Sequence, residues 1–269
     1  MNPSNRLRGL VIGTAVTFAL IPLLWTLLAS LGVVADSSTT PPVWQLPPTL
    51  DFYGEIRTEQ TFFWDEFAVS FALSAAISAV TLGAAAPAAY ALSRWQSRWR
   101  STALYVCLTL ASLPAVAVVL PLAEILRTMR LTDTFGGVLL AESALFAPLA
   151  VYLLVGYLDQ VPADVEEAAL IDGAPPLQRL VWILLPALIP GLVAVGTLVF
   201  ALSWNQFILP AVLTQTHIRT LPVQMRDFFA LEREFDWRIA AAVIVLSLLP
   251  VGAAAALAYR SLERLKFNP

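Results

Sequence analysis

Glu166, Glu167 and Asp172 stand close together with Ala168, Ala169 and Gly173 in the polar stretch Val161–Pro186, VPADVEEAALIDGAPPLQRLVWILLP. Carboxylates beside side chains of almost no bulk suit docking better than catalysis. Ala168 and Ala169 let a partner approach the backbone, and the acids give it charges to pair with. Glu142, in a long apolar run, is the other carboxylate of interest: an acid at membrane depth costs at least about 2.5 kcal/mol if it faces lipid. It either lines a cavity or sits at an interface. Trp204-Asn205-Gln206-Phe207 sets an indole beside two amides. Such a group suits a sugar, which stacks its C–H face and needs both donors and acceptors, and it equally suits an interfacial tryptophan with amides capping a helix end. His217, the single histidine, has no Asp or second His at useful spacing. No GxxxxGK[ST], GxSxG or HExxH occurs in the sequence, so ATP or peptide hydrolysis has no recognisable machinery here.

The elements that hold these residues follow from local rules. Pro162 and Asp164, with Glu167 three positions on from Asp164, are helix-start signals. Gly173 suits the left-handed residue that closes a helix, and Pro175-Pro176 stop its continuation while letting another begin. The stretch therefore reads as a short helix, a turn and a re-entry into the next apolar segment.

Those flanking segments are membrane-like. The 269 residues are 58% hydrophobic and 13% charged, against about 25% charged in soluble domains, and mean hydropathy is +0.75. A bilayer core of about 30 Å needs roughly 20 helical residues. Six stretches qualify: about Gly9–Val34, Phe67–Leu92, Ala103–Leu126, Gly136–Leu158, Ile183–Phe207 and Ile239–Tyr259. The first is too long for the apolar part of a signal peptide and reads as an uncleaved span. The basic cluster Ser93–Arg100 and the tail Arg260, Arg264 and Lys266 place both termini and Val161–Trp182 in the cytoplasm. Residues 35–66 form a long outer loop expected to pack as irregular structure or short helix, and Leu209–Arg238 is a second outer segment. With no basic block or aromatic-interleaved basic stripe, no nucleic-acid partner is expected; Cys107, the only cysteine, excludes disulfides within the chain and cysteine metal sites. Gly83, Ala84, Ala85, Ala86, Ala88 and Ala89 give the second span a small packing surface.

Glu167-Ala168-Ala169, three residues, Gly173, nine residues, then Ile183-x-Leu185-Pro186 resembles the EAA loop of ABC importer permeases. From about Phe67 to Tyr259 the chain resembles their carbohydrate-uptake branch, of the type of the second maltose permease subunit. Further matching pieces are AAYALSR (Ala88–Arg94), LTDTFGGVLL (Leu131–Leu140), WNQF, TLPV (Thr220–Val223) and Asp236-Trp237. Val69-Ser70 replaces the family's usual Asn-Ser, WNQF replaces the commoner WNEF, and the tail lacks a Gly-rich finish.

The resemblance implies an all-α integral membrane protein with six transmembrane helices of the type I importer permease fold and a cytoplasmic EAA coupling helix. Its parts would be a first span with its outer loop (1–66), a five-span core (67–259) containing the EAA loop (161–186), and a short cytoplasmic tail (260–269). The implied partners are a second homologous permease in a heterodimer, two ATPase subunits, an extracytoplasmic solute-binding protein and membrane lipid, in a bacterial or archaeal plasma membrane. No cofactor is expected on this chain; ATP and Mg belong to the ATPases. Glu166, Glu167, Ala168, Ala169, Asp172, Gly173 and Pro186 would serve ATPase coupling. Glu142, Trp204, Asn205 and Gln206 would serve the solute pathway. The implied cargo is a disaccharide or oligosaccharide. Alternatives are an importer of glycerol phosphate, a polyol, a peptide or another small solute, and, from other classes, a secondary transporter or channel or an intramembrane enzyme.

Overall fold

The computed structural model describes residues 3–33, 46–58, 63–161, 173, 175–179, 182, 185–214, 217–228 and 237–266. Among them all regular structure is helical: α1 (Pro3–Ser30), α2 (Asp51–Thr58), α3 (Phe63–Ser93), α4 (Trp99–Ala111), α5 (Ala115–Thr128), α6 (Phe135–Leu158), α7 (Pro176–Arg179), α8 (Leu185–Trp204), α9 (Ile208–Leu213), α10 (Leu221–Phe228) and α11 (Trp237–Lys266). Five stretches are long and apolar enough to cross a membrane: Arg8–Ser30, Phe63–Ser93, Phe135–Leu158, Leu185–Trp204 and Trp237–Glu263. They correspond to five of the six spans expected from hydropathy.

The remaining expected span, Ala103–Leu126, is not one straight helix. It divides into α4 and α5, which meet at 91°. Neither piece, at about 20 Å, reaches across a 30 Å core alone. The break falls at Pro114, which has no N–H to continue the α4 ladder and takes an extended backbone (φ −66°, ψ 134°) as the cap of α5. Ser112 ends α4 by turning its hydroxyl back onto the Leu108 carbonyl at 2.8 Å. Pro121, Pro148, Pro190 and Pro250 instead lie inside helices that run on through them.

The chain forms two compact units. The first holds residues 1–65 and 225–249. In it α1 presents apolar side chains outward all round, with no residue of its most apolar window buried. The segment expected to form the first outer loop contains the short helix α2. It is tied to the end of α1 where Tyr53 Oη donates to Ser30 Oγ at 2.8 Å and Thr49 N donates to the Leu31 carbonyl at 2.9 Å. The Arg238 guanidinium lies over the Phe52 ring at 4.8 Å.

The second unit, residues 66–224 and 250–269, carries the main core. Leu73, Ile77, Ala85 and Ala89 of α3 meet Val138, Ala150 and Leu154 of α6 and Leu188, Val195 and Val199 of α8. α6 packs on α4 and α8, and α9 packs on α5 and α6. Ala85 and Ala89 of the expected small-residue surface are fully buried. The closest helix approaches, however, use glycines of α8. A Cβ on Gly191 would lie 2.8 Å from Tyr157 Cγ, and one on Gly196 would lie 2.8 Å from Leu82 Cδ1. Ser78 Oγ uses that proximity to donate to the Gly196 carbonyl at 2.9 Å.

Candidate functional site

The segment expected to serve ATPase coupling lies between α6, which ends at Leu158, and α8, which begins at Leu185. Glu166, Glu167, Ala168, Ala169 and Asp172 lie outside the described residues. Gly173 has φ +79°, the left-handed conformation expected for it from the sequence. The one-turn helix α7 follows directly after Pro175. Pro186 falls in the first turn of α8, where a missing N–H costs nothing because the early N–H groups of a helix have no partner inside it. Sequence and geometry therefore agree on the exit from this segment: a left-handed turn, one short helical turn, and a proline-led start of the next span.

At the other concentration of interest, Glu142 is buried within the unit rather than turned outward. It is 1% exposed, about 10 Å along α6 from Phe135. Ser203 Oγ on α8 donates to its Oε2 at 2.7 Å, whereas Oε1 has no hydrogen-bond partner among the described residues. Ser70, Ser74, Ser203, Trp204 and Thr220 join Glu142 around a closed chamber with room for about one water molecule. Thr220 Oγ1 is also buried without a partner. Such a chamber can hold a polar seam between helices but is far too small for a sugar. Of the residues expected along a solute pathway, it brings together Glu142 and Trp204 only.

The indole of Trp204 is 3% exposed. Phe67 meets it edge-on at 5.2 Å and Phe200 stacks on it at 6.1 Å between centroids. Aromatic neighbours therefore occupy the surroundings of Trp204 in this structure. Asn205 is exposed, and its Nδ2 donates to the Ala201 carbonyl at 2.8 Å, capping the end of α8. Gln206 is half-buried, and Phe207 is the more open ring of this group at 38% exposure.

Of the segments singled out by resemblance, LTDTFGGVLL, WNQF and TLPV lie at this end of the unit. Asp133, in LTDTFGGVLL, tolerates φ +54° because short polar side chains adopt the left-handed region more readily than most. Its backbone N donates to the Leu213 carbonyl at 2.9 Å. Its carboxylate accepts from the backbone N–H groups of His217 and Ile218, the shortest at 3.1 Å. His217 thus contributes its backbone, and its side chain is exposed. At TLPV, Leu221 N donates to Ser70 Oγ at 2.7 Å, and Thr220 and Leu221 are buried. Ser70, noted in the sequence only beside the Val69 departure from the family's Asn-Ser, thus anchors TLPV to α3. Ser203 was missed as well, since it lies 61 residues from Glu142 and no local pattern links them.

Comparison with known proteins places this architecture. Residues 79–267 match the family described as binding-protein-dependent transport system inner membrane component. Among similar proteins, the sulfoquinovosyl glycerol transport system permease protein SmoH of Agrobacterium fabrum is 29% identical over 91% of this chain and 86% of its own length. The trehalose transport system permease protein SugB of Mycobacterium tuberculosis is 35% identical over 52% of this chain and 53% of its own. The trehalose/maltose transport system permease protein MalG of Thermococcus litoralis is 31% identical over 54% and 52% respectively. In fold, the chain resembles a solved bacterial ABC transporter involved in the import of the acidic polysaccharide alginate, with TM-score 0.76, 23% identity, and coverage of 100% of this chain and 99% of that one. The apolar spans, the broken fourth and fifth helices and a match across 79–267 lead to one conclusion: this multi-pass membrane protein belongs to the family of binding-protein-dependent transport system inner membrane components.

Proposed function

We propose that the chain is one of two permease subunits of an ATP-driven importer for a sugar or sugar derivative. The observation that carries the cargo class is the set of relatives: proteins named for sulfoquinovosyl glycerol, trehalose and trehalose/maltose transport all resemble this chain. The chain itself holds no ATP-hydrolysing motif, so ATP and Mg act on two partner ATPases. The solute arrives on an extracytoplasmic binding protein. A second permease completes the membrane pathway, which suits a bundle whose α1 exposes apolar side chains on every face.

In this reading both termini and the segment 161–186 are cytoplasmic, as the basic cluster between α3 and α4 favours. ATP binding closes the ATPase dimer. The coupling helix around Glu167–Gly173 carries that motion into the spans, so that the cavity opens outward to receive solute, and hydrolysis resets it inward. Glu166, Glu167 and Asp172 pair with basic groups of the ATPase, Ala168 and Ala169 allow close docking, and Gly173 and Pro186 shape the return into α8. The polar seam at Glu142 holds the outer end of α6 against α8 while the solute passes elsewhere. A sugar carrying an acidic group is a second reading, favoured by the exposed Arg127 and Arg130 at the end of α5.

Purification of the tagged chain in mild detergent tests this assignment. An ATPase, a second permease and a binding protein should co-purify, and a ligand screen on the binding protein should return a saccharide. Recovery of the chain without an ATPase, or a binding protein that takes only amino acids or peptides, would overturn it.

A further inference from the structure

A single guanidinium joins three elements at the end of the bundle where the coupling segment begins. Arg100 Nη2 donates to both carboxylate oxygens of Asp159, at 2.7 and 2.5 Å. Its Nε donates to the Leu92 carbonyl at 2.9 Å. Leu92 lies in the last turn of α3, Arg100 is the second residue of α4, and Asp159 is the C-terminal cap of α6. Asp159 stands three residues before Pro162, the expected start of the coupling helix.

The stability of the bundle gives this arrangement little to do. The two side chains are 30% and 42% exposed, and pairs so open to water contribute little to folding because solvent and salt screen them. The core beneath already holds α4 on α6 through apolar contact. What the pair does supply is a fixed geometric relation. A displacement of the α6 end is passed by one planar group to the end of α3 and the start of α4.

We propose that Arg100 and Asp159 are positioning residues for transport, forming the joint through which movement of the coupling segment reaches α3 and α4. The joint rests on the coupling role given to residues 161–186 above. It acts only through other elements and touches neither nucleotide nor solute.

The test uses the assembled transporter purified through a tag on this chain and returned to liposomes. ATP hydrolysis and solute uptake are measured on the same preparation for Arg100→Gln, Asp159→Asn, Arg100→Lys and the exchange Arg100→Asp/Asp159→Arg. The expected result is normal assembly and continued ATP hydrolysis in Arg100→Gln and Asp159→Asn, with solute moved per ATP lowered by at least about fivefold, the lower end of usual coupling effects. The exchange should restore part of the loss. Arg100→Lys, which retains the charge and loses the bond to Leu92, should fall between Arg100→Gln and the unmodified protein.

Unchanged solute per ATP in Arg100→Gln and Asp159→Asn would overturn the joint. So would failure of both variants to assemble with no recovery on exchange, which is the outcome of a merely structural pair. Gly173→Arg separates this failure from failure of the coupling reading. If Gly173→Arg uncouples and the Arg100 variants do not, only the joint is wrong. If Gly173→Arg also moves solute normally, the coupling role of the segment falls with it.

Discussion

Ser203→Ala is the sharpest probe of the polar seam. The Ser203 hydroxyl is the donor to Glu142 Oε2 at 2.7 Å, and Oε1 has no hydrogen-bond partner among the described residues. Removing the hydroxyl therefore leaves a carboxyl group with neither oxygen paired to protein, at 1% exposure. A stranded buried polar group costs about 1–3 kcal/mol. Glu142→Met is the informative contrast. It removes the acid, and Ser203 Oγ can then turn back to a carbonyl of its own helix, as hydroxyls on helices commonly do. Burying an incompletely paired carboxyl group is itself costly, and replacing both partners of a buried hydrogen bond by apolar groups can be nearly neutral or stabilising. The expected order is therefore Ser203→Ala clearly destabilised, Glu142→Met close to the parent, and the double variant recovering most of the loss. Thermal unfolding in mild detergent, followed by tryptophan emission, reads this, since Trp204 lines the same chamber. A cost of 1–3 kcal/mol corresponds to a fall of roughly 2–10 °C for a domain of this size. A Ser203→Ala variant within 1 °C of the parent (about 0.3 kcal/mol), or a Glu142→Met variant less stable than Ser203→Ala, would refute the reasoning.

Other expectations follow from the same contacts. Gly191→Ala should destabilise the bundle by about 1–3 kcal/mol, because its Cβ would press on ring carbons of Tyr157 at 2.8 and 2.9 Å. Gly196→Ala should cost less, since the atom met at 2.8 Å is the far end of Leu82; equal midpoints in detergent unfolding would contradict that ranking. Asp133→Ala should lose about 1–2 kcal/mol and speed hydrogen exchange at the His217 and Ile218 amides that it accepts from. Asp133→Asn, which retains an acceptor and tolerates φ +54°, should remain close to the parent in both readouts. Gly173→Ala should weaken the coupling segment mildly, by about 1–2 kcal/mol for a side chain at φ +79°, and solute uptake should fall before membrane content does.

Much of this fold is legible in the sequence because lipid imposes a coarse rule: a helix of about 20 apolar residues is needed to cross. That rule finds α1, α3, α6, α8 and α11. It does not find the break in Ala103–Leu126, because proline alone does not decide it. Pro148 and Pro190 sit within unbroken helices, whereas Pro114 follows a serine that closes α4 onto Leu108 and itself adopts an extended backbone.

The candidate site shows the same division. The left-handed Gly173 and the helix restart after Pro175 are local properties and are readable from spacing. Whether Trp204 offers its ring to a solute depends on Phe67 and Phe200. Whether Glu142 faces a cavity depends on Ser203, supplied by another helix. That TLPV is anchored on Ser70 depends on α3, 151 residues away in the chain. Long-range packing, which no local spacing encodes, decides each of these.

The central claim is that this chain moves solute only when driven by ATP hydrolysed on partner subunits. The most direct measurement is solute uptake into liposomes carrying the co-purified assembly, with its binding protein outside and ATP enclosed or omitted. The account predicts uptake that requires both ATP and the binding protein, and that Gly173→Arg abolishes while hydrolysis continues. Uptake by this chain alone, without ATP and sustained by an ion gradient, would contradict it.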